Sequence, residues 1–140
     1  MRKWFNFGRR RIMFKKFDLR REEREGGVEV VYVIGYLDSS TFVELDNCFK
    51  ELIEEGKVKI IVDMSELEYI SAAGLGVIAG MLVEVRNKMG DLKLCGMDSR
   101  IRNLFDILGF SRTLEIYSSQ EEAMKEFKEE KGRISVLALS

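Results

Sequence analysis

The sequence predicts an α/β domain in which a mainly parallel sheet carries helices packed against it. Short runs of β-branched and aromatic residues alternate with longer amphipathic patterns, and most of these patterns begin near Ser, Thr or Asp and end at Gly. At 140 residues, the chain has room for one hydrophobic core. The predicted order is β-β-α-β-α-β-α-β-α, and strands alternating with helices imply right-handed parallel crossovers.

A hairpin opens the predicted domain. Residues 28–36 are dominated by β-branched and aromatic side chains and predict a strand, with residues 17–23 as its antiparallel partner. Gly26-Gly27 between them is typical of a tight turn. A helix is expected from Phe42, because capping side chains precede it and apolar residues follow at steps of three and four. Gly56 is a typical stop for that helix.

The rest of the domain repeats a strand followed by a helix. Residues 58–63 are mostly apolar and predict a central parallel strand, which a short acidic loop separates from a helix opening near Ala72. That helix is apolar nearly all round through Val83, so its first turns should be buried, and Gly90 closes it. The remaining predicted elements are a strand at 92–95, a helix capped by Ser99 and ended by Gly109, a strand at 114–117, and a helix opened by Ser119 with Ala123, Met124 and Phe127 facing inward.

Two segments flank the predicted domain at 17–130. Residues 1–16 form a basic aromatic leader with seven Arg or Lys and no acid, which leaves 16 basic against 24 acidic residues in the rest of the chain. A poorly ordered tail, or translated sequence upstream of a true start at Met13, is the favoured interpretation. The alternative is a segment that contacts an anionic membrane or nucleic acid. Residues 131–140 form a mildly apolar C-terminal tail.

Composition argues against an enzyme. The chain has no His, which excludes a His general base, a Ser-His or Cys-His nucleophile pair and an imidazole zinc site. Cys48 and Cys95 form no CxxC pair and lie in apolar patterns, so we expect buried thiols in a reducing cytoplasm. Neither a cofactor nor a metal site is predicted, and no apolar run approaches the length of a membrane span.

The most informative segment runs from Ser71 to Gly80 and is rich in Ala and Gly. One interpretation is a dinucleotide-binding fingerprint, because Gly74, Gly76 and Gly80 fit the spacing GxGxxxG. However, about ten residues separate Gly74 from the strand at 58–63, whereas the first Gly of such a fingerprint follows its strand directly. A second interpretation is purely structural: Ser71 caps the helix, and the small residues allow close packing of the helix on the sheet.

A protein-docking surface is the third interpretation of the same segment. Gly costs about 1 kcal/mol relative to Ala inside a helix, so a close approach must compensate for the glycines here. The amide groups at a helix N-terminus are also suited to a phosphate or a carboxylate. The sequence therefore places the functional site around Ser71.

Four motifs, in order along the chain, resemble the STAS domain of bacterial anti-sigma factor antagonists. They are Gly35-Tyr36-Leu37-Asp38, then Asp63-Met64-Ser65 through Ile70-Ser71-Ala72-Ala73-Gly74-Leu75-Gly76, then Leu108-Gly109-Phe110, and finally Ile116-Tyr117-Ser118-Ser119-Gln120-Glu121-Glu122-Ala123. The resemblance covers residues 17–128 and agrees with the predicted order of elements. It implies a small cytoplasmic protein, not an enzyme, that binds an anti-sigma factor acting also as a serine kinase and so frees a sigma factor for transcription.

The resemblance also implies which residues form the site. The implied partner-binding residues are Asp38, Ser39, Ser71, Ala72, Ala73, Gly74, Leu75 and Gly76. In the family, phosphorylation of a Ser at the start of the second helix breaks the complex, because the phosphate adds close to two negative charges to a packed contact. The usual motif is Asp-Ser-(Ser/Ala/Thr)-Gly-Leu. Registered on Gly74-Leu75, it puts Ser71 where the Asp belongs and Ala72 where the phosphorylated Ser belongs.

Because Ala cannot accept phosphate, two explanations remain. Ser71 is a displaced acceptor, or the protein is a binder without a phosphorylation switch. The second is favoured, because a kinase needs the hydroxyl close to in-line geometry. Two other functions stay open: an accessory subunit of a membrane transport system, since STAS-like domains also occur beside transporters, and a nucleotide-binding sensor that uses the Gly-rich helix start.

Overall fold

A six-stranded, mostly parallel sheet lies at the centre of the protein. The computed structural model describes the backbone of residues 2–7, 10–15 and 17–139 and the side chains of residues 17–130. The strands are β1 (Arg2–Phe7), β2 (Arg10–Lys15), β3 (Asp18–Arg24), β4 (Val28–Leu37), β5 (Lys59–Asp63), β6 (Leu67–Ile70), β7 (Asp91–Cys95) and β8 (Glu115–Tyr117). The α-helices are α1 (Phe42–Glu54), α2 (Ala72–Asn87), α3 (Ser99–Ile107) and α4 (Gln120–Leu139), and 3-10 turns lie at Glu25–Gly27 and Phe110–Arg112.

Strand β4 organises the sheet. It pairs antiparallel with β3 on one side, and on the other side it pairs in parallel with β5 through its first half and with β6 through its second half. Strands β7 and β8 extend the sheet beyond β5, giving the order β3-β4-β5-β7-β8. The predicted hairpin, parallel sheet and alternation of strands with helices are therefore confirmed. Strands β1 and β2 pair antiparallel with each other in a separate two-stranded sheet.

Each face of the main sheet carries its own apolar cluster, because successive residues of a strand point to opposite faces. On one face, Val31 of β4 with Ile60 and Val62 of β5 packs against residues of α1, α2 and α3. On the other face, Val30 and Ile61 pack against α4. Burial on both faces explains why β5 reads as a continuous apolar run.

The stretch at 64–70, which the sequence predicts as a loop, contains β6. Its four residues do not alternate between buried and exposed: Leu67 and Ile70 are buried, whereas Glu68 and Tyr69 between them are exposed. Strand pairing here depends on an irregularity between Gly35 and Tyr36 that shifts the register of β4. Such a pairing between distant segments cannot be predicted from the local sequence pattern.

Two helix ends also differ from prediction. Asp98, rather than Ser99, caps α3, because its Oδ1 accepts a hydrogen bond from the backbone N of Ile101 at 2.9 Å. At the end of α2, Met89 adopts the left-handed conformation (φ 64°). The next residue must be Gly for a different reason, because a Cβ at Gly90 would overlap the backbone carbonyl of Val58.

Helix α4 continues to Leu139, through most of the segment that the sequence leaves unassigned. Its predicted inward-facing residues Ala123, Met124 and Phe127 are buried in the α4-side cluster. The side chains of residues 1–16 lie outside the described residues, and so does the predicted membrane or nucleic-acid contact of the leader. In the described part of the chain, no helix combines the length and the apolar character needed to cross a bilayer.

Candidate partner-binding site

The predicted site forms where β4, β6 and α2 meet. Ser71 donates a backbone hydrogen bond to the carbonyl of Leu37, the last residue of β4, at 2.9 Å. Parallel pairing of Leu37 with Ile70 brings the ends of β4 and β6 to the same edge. Asp38, next in the chain, is thereby held beside the start of α2. The two segments predicted to form the site, residues 38–39 and 71–76, are therefore neighbours.

Ser71 is the N-cap of α2, as predicted. Its backbone is extended, with φ −98° and ψ 172°, and its carbonyl accepts a hydrogen bond from the backbone N of Leu75 at 3.0 Å. Its Oγ accepts from the backbone N of Gly74 at 3.4 Å, which is long for an N–H···O bond. Ser71 is half-buried, whereas Ala72 is exposed. The exposed residue at the helix start thus carries a methyl group and no hydroxyl.

The glycines of α2 differ in what surrounds them. A Cβ at Gly74 would lie 2.6 Å from Cγ of Leu37 and 3.1 Å from Cγ1 of Ile70, so Gly74 lets α2 rest directly on the strand ends. A Cβ at Gly76 or Gly80 would meet no atom of the described residues within 4 Å. Close packing inside the domain therefore explains Gly74 and leaves Gly76 and Gly80 unexplained.

Asp38 is held as a charged carboxylate beside the helix start. Its Oδ1 accepts hydrogen bonds from Oγ of Ser40 at 2.7 Å and from the backbone N of Ser40 at 2.9 Å. These bonds lower the pKa of Asp38, because they stabilise the ionised form. Oγ1 of Thr41 donates to the carbonyl of Tyr36 at 2.7 Å and accepts from the backbone N of Asp38 at 2.9 Å. The loop is fixed by these bonds, and Ser39 is exposed on it.

Two tyrosines that were not predicted as site residues lie next to the site. Tyr36 of β4 and Tyr69 of β6 are register partners, and their ring centroids are 5.9 Å apart. They are 43% and 49% exposed. Tyr is common at protein interfaces, because it combines a large apolar face with a polar tip. The pairing of β6 with β4 brings these rings together, and the sequence pattern did not reveal that pairing.

One carboxylate cluster in the described residues, Asp91, Glu115 and Glu130, has the spacing of a metal site. Nζ of the fully buried Lys93 occupies it, at 3.2, 2.6 and 2.7 Å from those three carboxylates. Burial lowers the pKa of Lys93, but the hydrogen bonds to Glu115 and Glu130 outweigh it and raise the pKa overall. The cluster is therefore a salt-bridge network that ties α4 to β7 and β8.

The two cysteines are buried and unpaired, as predicted. Burial raises the pKa of Cys48 to about 11 and that of Cys95 to about 12. Since the thiolate is the reactive form, neither thiol is suited to nucleophilic chemistry near neutral pH.

The model of the family described as the STAS domain matches residues 21–123. The chain belongs to the STAS domain family. An anti-sigma-B factor antagonist from Listeria monocytogenes is 30% identical over 105 residues, which cover 72% of this chain and 89% of the relative. This similarity and the family match agree with the resemblance found in the sequence.

Solved structures share the STAS fold at lower identity. An anti-sigma factor antagonist from Mycobacterium paratuberculosis superimposes with a TM-score of 0.72 at 20% identity, covering 79% of this chain and 93% of the other. A sulfate transporter family protein from Wolinella succinogenes gives a TM-score of 0.66 at 20% identity, covering 76% of this chain and 89% of the other. The predicted fold class is therefore confirmed, and fold alone does not separate the two kinds of protein.

Proposed function

We propose that this STAS domain is a cytoplasmic anti-sigma factor antagonist that acts by binding and is not an enzyme. It binds an anti-sigma factor, itself a serine kinase, and thereby frees a sigma factor for transcription. The observation that carries the proposal is the exposed start of α2 beside the fixed loop at Asp38. A relative at 30% identity that bears the name of anti-sigma-B factor antagonist supports it.

The geometry suits protein docking. Ala72 and Gly76 are small and exposed, so a partner backbone can approach the first turns of α2 closely. Tyr36 and Tyr69 offer apolar area next to these turns. Asp38 adds a negative charge whose position is fixed before binding, which favours a cationic side chain of the partner.

The binding test uses an added charge at the centre of the proposed contact. Ala72→Glu should weaken binding of the purified anti-sigma factor from the same organism by about 100-fold, because a carboxylate is costly to desolvate in a packed contact. The fold should tolerate the change, since an acidic residue in the first turn of a helix is favourable. Isothermal titration calorimetry measures the affinity.

Val83→Glu is the matched control, because it adds the same charge to an exposed position near the other end of α2, where Val83 is 59% exposed. Its affinity should stay within about threefold of wild type, as expected for a charge outside the contact. Equal affinities for wild type and Ala72→Glu would place the contact elsewhere. Absence of binding by the wild-type protein would contradict the proposed function.

We further propose that this protein lacks the phosphorylation switch. Ala72 occupies the exposed position at the helix start, and the hydroxyl of Ser71, one residue earlier, is half-buried and accepts from an amide of α2. A kinase must reach the hydroxyl in line with the γ-phosphate of ATP. The exposed methyl group of Ala72 cannot accept phosphate, and the Ser71 hydroxyl oxygen faces its own helix, where it accepts from the backbone N of Gly74.

Incubation with the kinase and ATP, followed by mass spectrometry, tests the absence of the switch. Wild type should remain unmodified, whereas Ala72→Ser should gain one phosphate at position 72 and lose affinity for the anti-sigma factor. Stoichiometric phosphate on Ser71 of the wild-type protein would show that the acceptor is displaced by one residue. Phosphate on Ser39, Ser40 or Ser65 would place the switch on a different loop.

A further inference from the structure

Helices α1 and α2 border an open groove that starts at the candidate site and runs away from it. Its volume is about 660 Å³, and its lining extends from Phe42 to Glu54 on α1 and from Ala73 to Glu84 on α2. Both helices lead from one parallel strand to the next, so they run in the same direction. At 1.5 Å per residue, the groove is roughly 17 Å long, which matches about three turns of a helix.

The floor of the groove is shaped for close contact. Phe49, Val77 and Met81 give it an apolar surface. Gly76 and Gly80, four residues apart on one face of α2, line the groove where a Cβ at either would meet no atom of the described residues within 4 Å. Gly is unfavourable inside a helix, and the described part of the domain offers no packing reason for either. A helix laid into the groove supplies the reason, because small residues let two helix backbones approach closely.

The charges along the groove are mainly acidic. Lys50 is its only cation among the lining residues, and Nζ of Lys50 already pairs with Oδ2 of Asp46 at 2.8 Å. Glu54 on α1 and Glu84 on α2 are exposed, and neither forms an ion pair with any residue whose side chain the structure describes. A basic occupant would complement these carboxylates. A second copy of the same groove would set them against each other, which costs free energy.

We infer that this groove holds a basic amphipathic helix of the protein that docks on the start of α2. The occupying helix places small residues against Gly76 and Gly80 and aligns Lys or Arg side chains with Glu54 and Glu84. Ala73 and Gly76 lie both in the groove and in the predicted docking site, so one partner covers both surfaces without a gap. The identity of that partner rests on the proposed function, whereas the chemistry of the helix follows from the groove.

Substituting each groove glycine separates binding from folding. Gly76→Ala and Gly80→Ala should each raise the folding equilibrium constant about fivefold, because Ala is the better helix former and its methyl group enters open space. The same substitutions should weaken binding of the purified anti-sigma factor about tenfold or more, because the methyl groups hold the occupying helix away. Gly80→Leu should weaken it further. Urea denaturation and calorimetry give the two measurements.

Two further variants test the geometry and the charge. Val83→Leu is the matched control on α2 outside the groove lining and should leave the affinity unchanged. Glu84→Lys should weaken binding and reduce its dependence on salt, because the basic helix loses an attractive partner. Gly80 lies in the groove and outside the predicted docking site, so wild-type affinity in both Gly80→Ala and Gly80→Leu would overturn the inference while leaving the proposed function intact.

A synthetic probe tests the groove without the anti-sigma factor. A 14-residue helical peptide with an Ala stripe flanked by Lys is titrated into ¹⁵N-labelled full-length protein, alongside a version with Glu in place of Lys. The Lys peptide should shift the amide signals of Gly76, Val77 and Gly80, and the Glu peptide should not. Shifts elsewhere, or none, would overturn the inference. Self-association that Gly80→Leu abolishes would identify a second copy as the occupant and overturn it as well.

Discussion

At the scale of single residues, Lys93 shows how a charge is accommodated in the interior of this domain. Its ammonium group lies 2.6–3.2 Å from three carboxylates and 4.7 Å from the ring centroid of Phe127. Burial of Lys93 could not be predicted from the sequence, because a Lys in a short strand normally reaches solvent. Phe127 and Glu130 of α4, which lie far along the chain, cover the ammonium group of Lys93. Burial of Lys93 is therefore a property of the tertiary fold.

Lys93→Met should destabilise the protein by about 3 kcal/mol, because it leaves three partly buried carboxylates without their common partner. Urea denaturation at pH 7 measures the change. Lys125→Met is the control, since the side chain of Lys125 is 76% exposed and its ion pair is 4.0 Å long. That control should change stability by no more than about 0.5 kcal/mol. A loss below about 1 kcal/mol for Lys93→Met would mean that water replaces the ammonium group at little cost.

At the scale of secondary-structure elements, the sequence predicts what depends on local patterns and misses what depends on distant ones. The hairpin turn at Gly26-Gly27 and the helix beginning at Phe42 follow from local chemistry, and both are found. Strand β6 and the Tyr36–Tyr69 pair depend on the register shift in β4, which no local pattern records. The helix start that carries Ser71 was predictable, whereas the aromatic part of the same surface was not.

The connection between α2 and β7 offers two substitutions whose effects on stability should have opposite signs. Gly90→Ala should destabilise the protein by about 3 kcal/mol or more, because the new methyl group would overlap the backbone of Val58 and that backbone cannot move away freely. Met89→Gly should stabilise it by about 1 kcal/mol, because Met89 has a positive φ of 64° that Gly adopts without strain. Thermal unfolding measures both. If both substitutions changed stability by less than about 0.5 kcal/mol, the backbone after α2 would be shown to adjust its path freely.

At the scale of the whole molecule, burial of groups that must stay protonated predicts a loss of stability in alkali. The pKa of Cys48 is raised to about 11 and that of Cys95 to about 12, by burial in each case, from a reference value of 9.0. Burial and the hydrogen bond to Glu115 also raise the pKa of Tyr117. For each group the folded state binds the proton more tightly than the unfolded state. Their contribution is therefore complete below the unfolded pKa and is lost as pH rises through the folded pKa.

On the acidic side of the pH profile, Asp38 and Asp98 should each contribute little. Hydrogen bonds from Ser40 lower the pKa of Asp38, and a backbone hydrogen bond from Ile101 lowers that of Asp98. Stability from these groups is present above their unfolded pKa of 3.8 and is lost as pH falls below it. Both carboxylates are largely solvated, so solvent screens most of their contribution. The alkaline decline from the buried thiols should begin near pH 9, which is the unfolded pKa of Cys48 and Cys95.

A variant with both Cys48→Ala and Cys95→Ala tests the cause of the alkaline decline. Each buried thiol should contribute a slope of up to about 1.4 kcal/mol per pH unit between its unfolded and folded pKa, because one proton separates the two states there. The variant should be less stable than wild type at pH 7, since two buried sulfur atoms are removed, yet its stability should fall more gently from pH 9 to 11. Urea midpoints across that interval, each referred to pH 7, measure the slopes. Parallel profiles of wild type and variant would assign the decline to Tyr117 and Lys93. Their raised pKa values act in the same direction, but the stability that they contribute is lost only above their unfolded pKa values of 10.0 and 10.5.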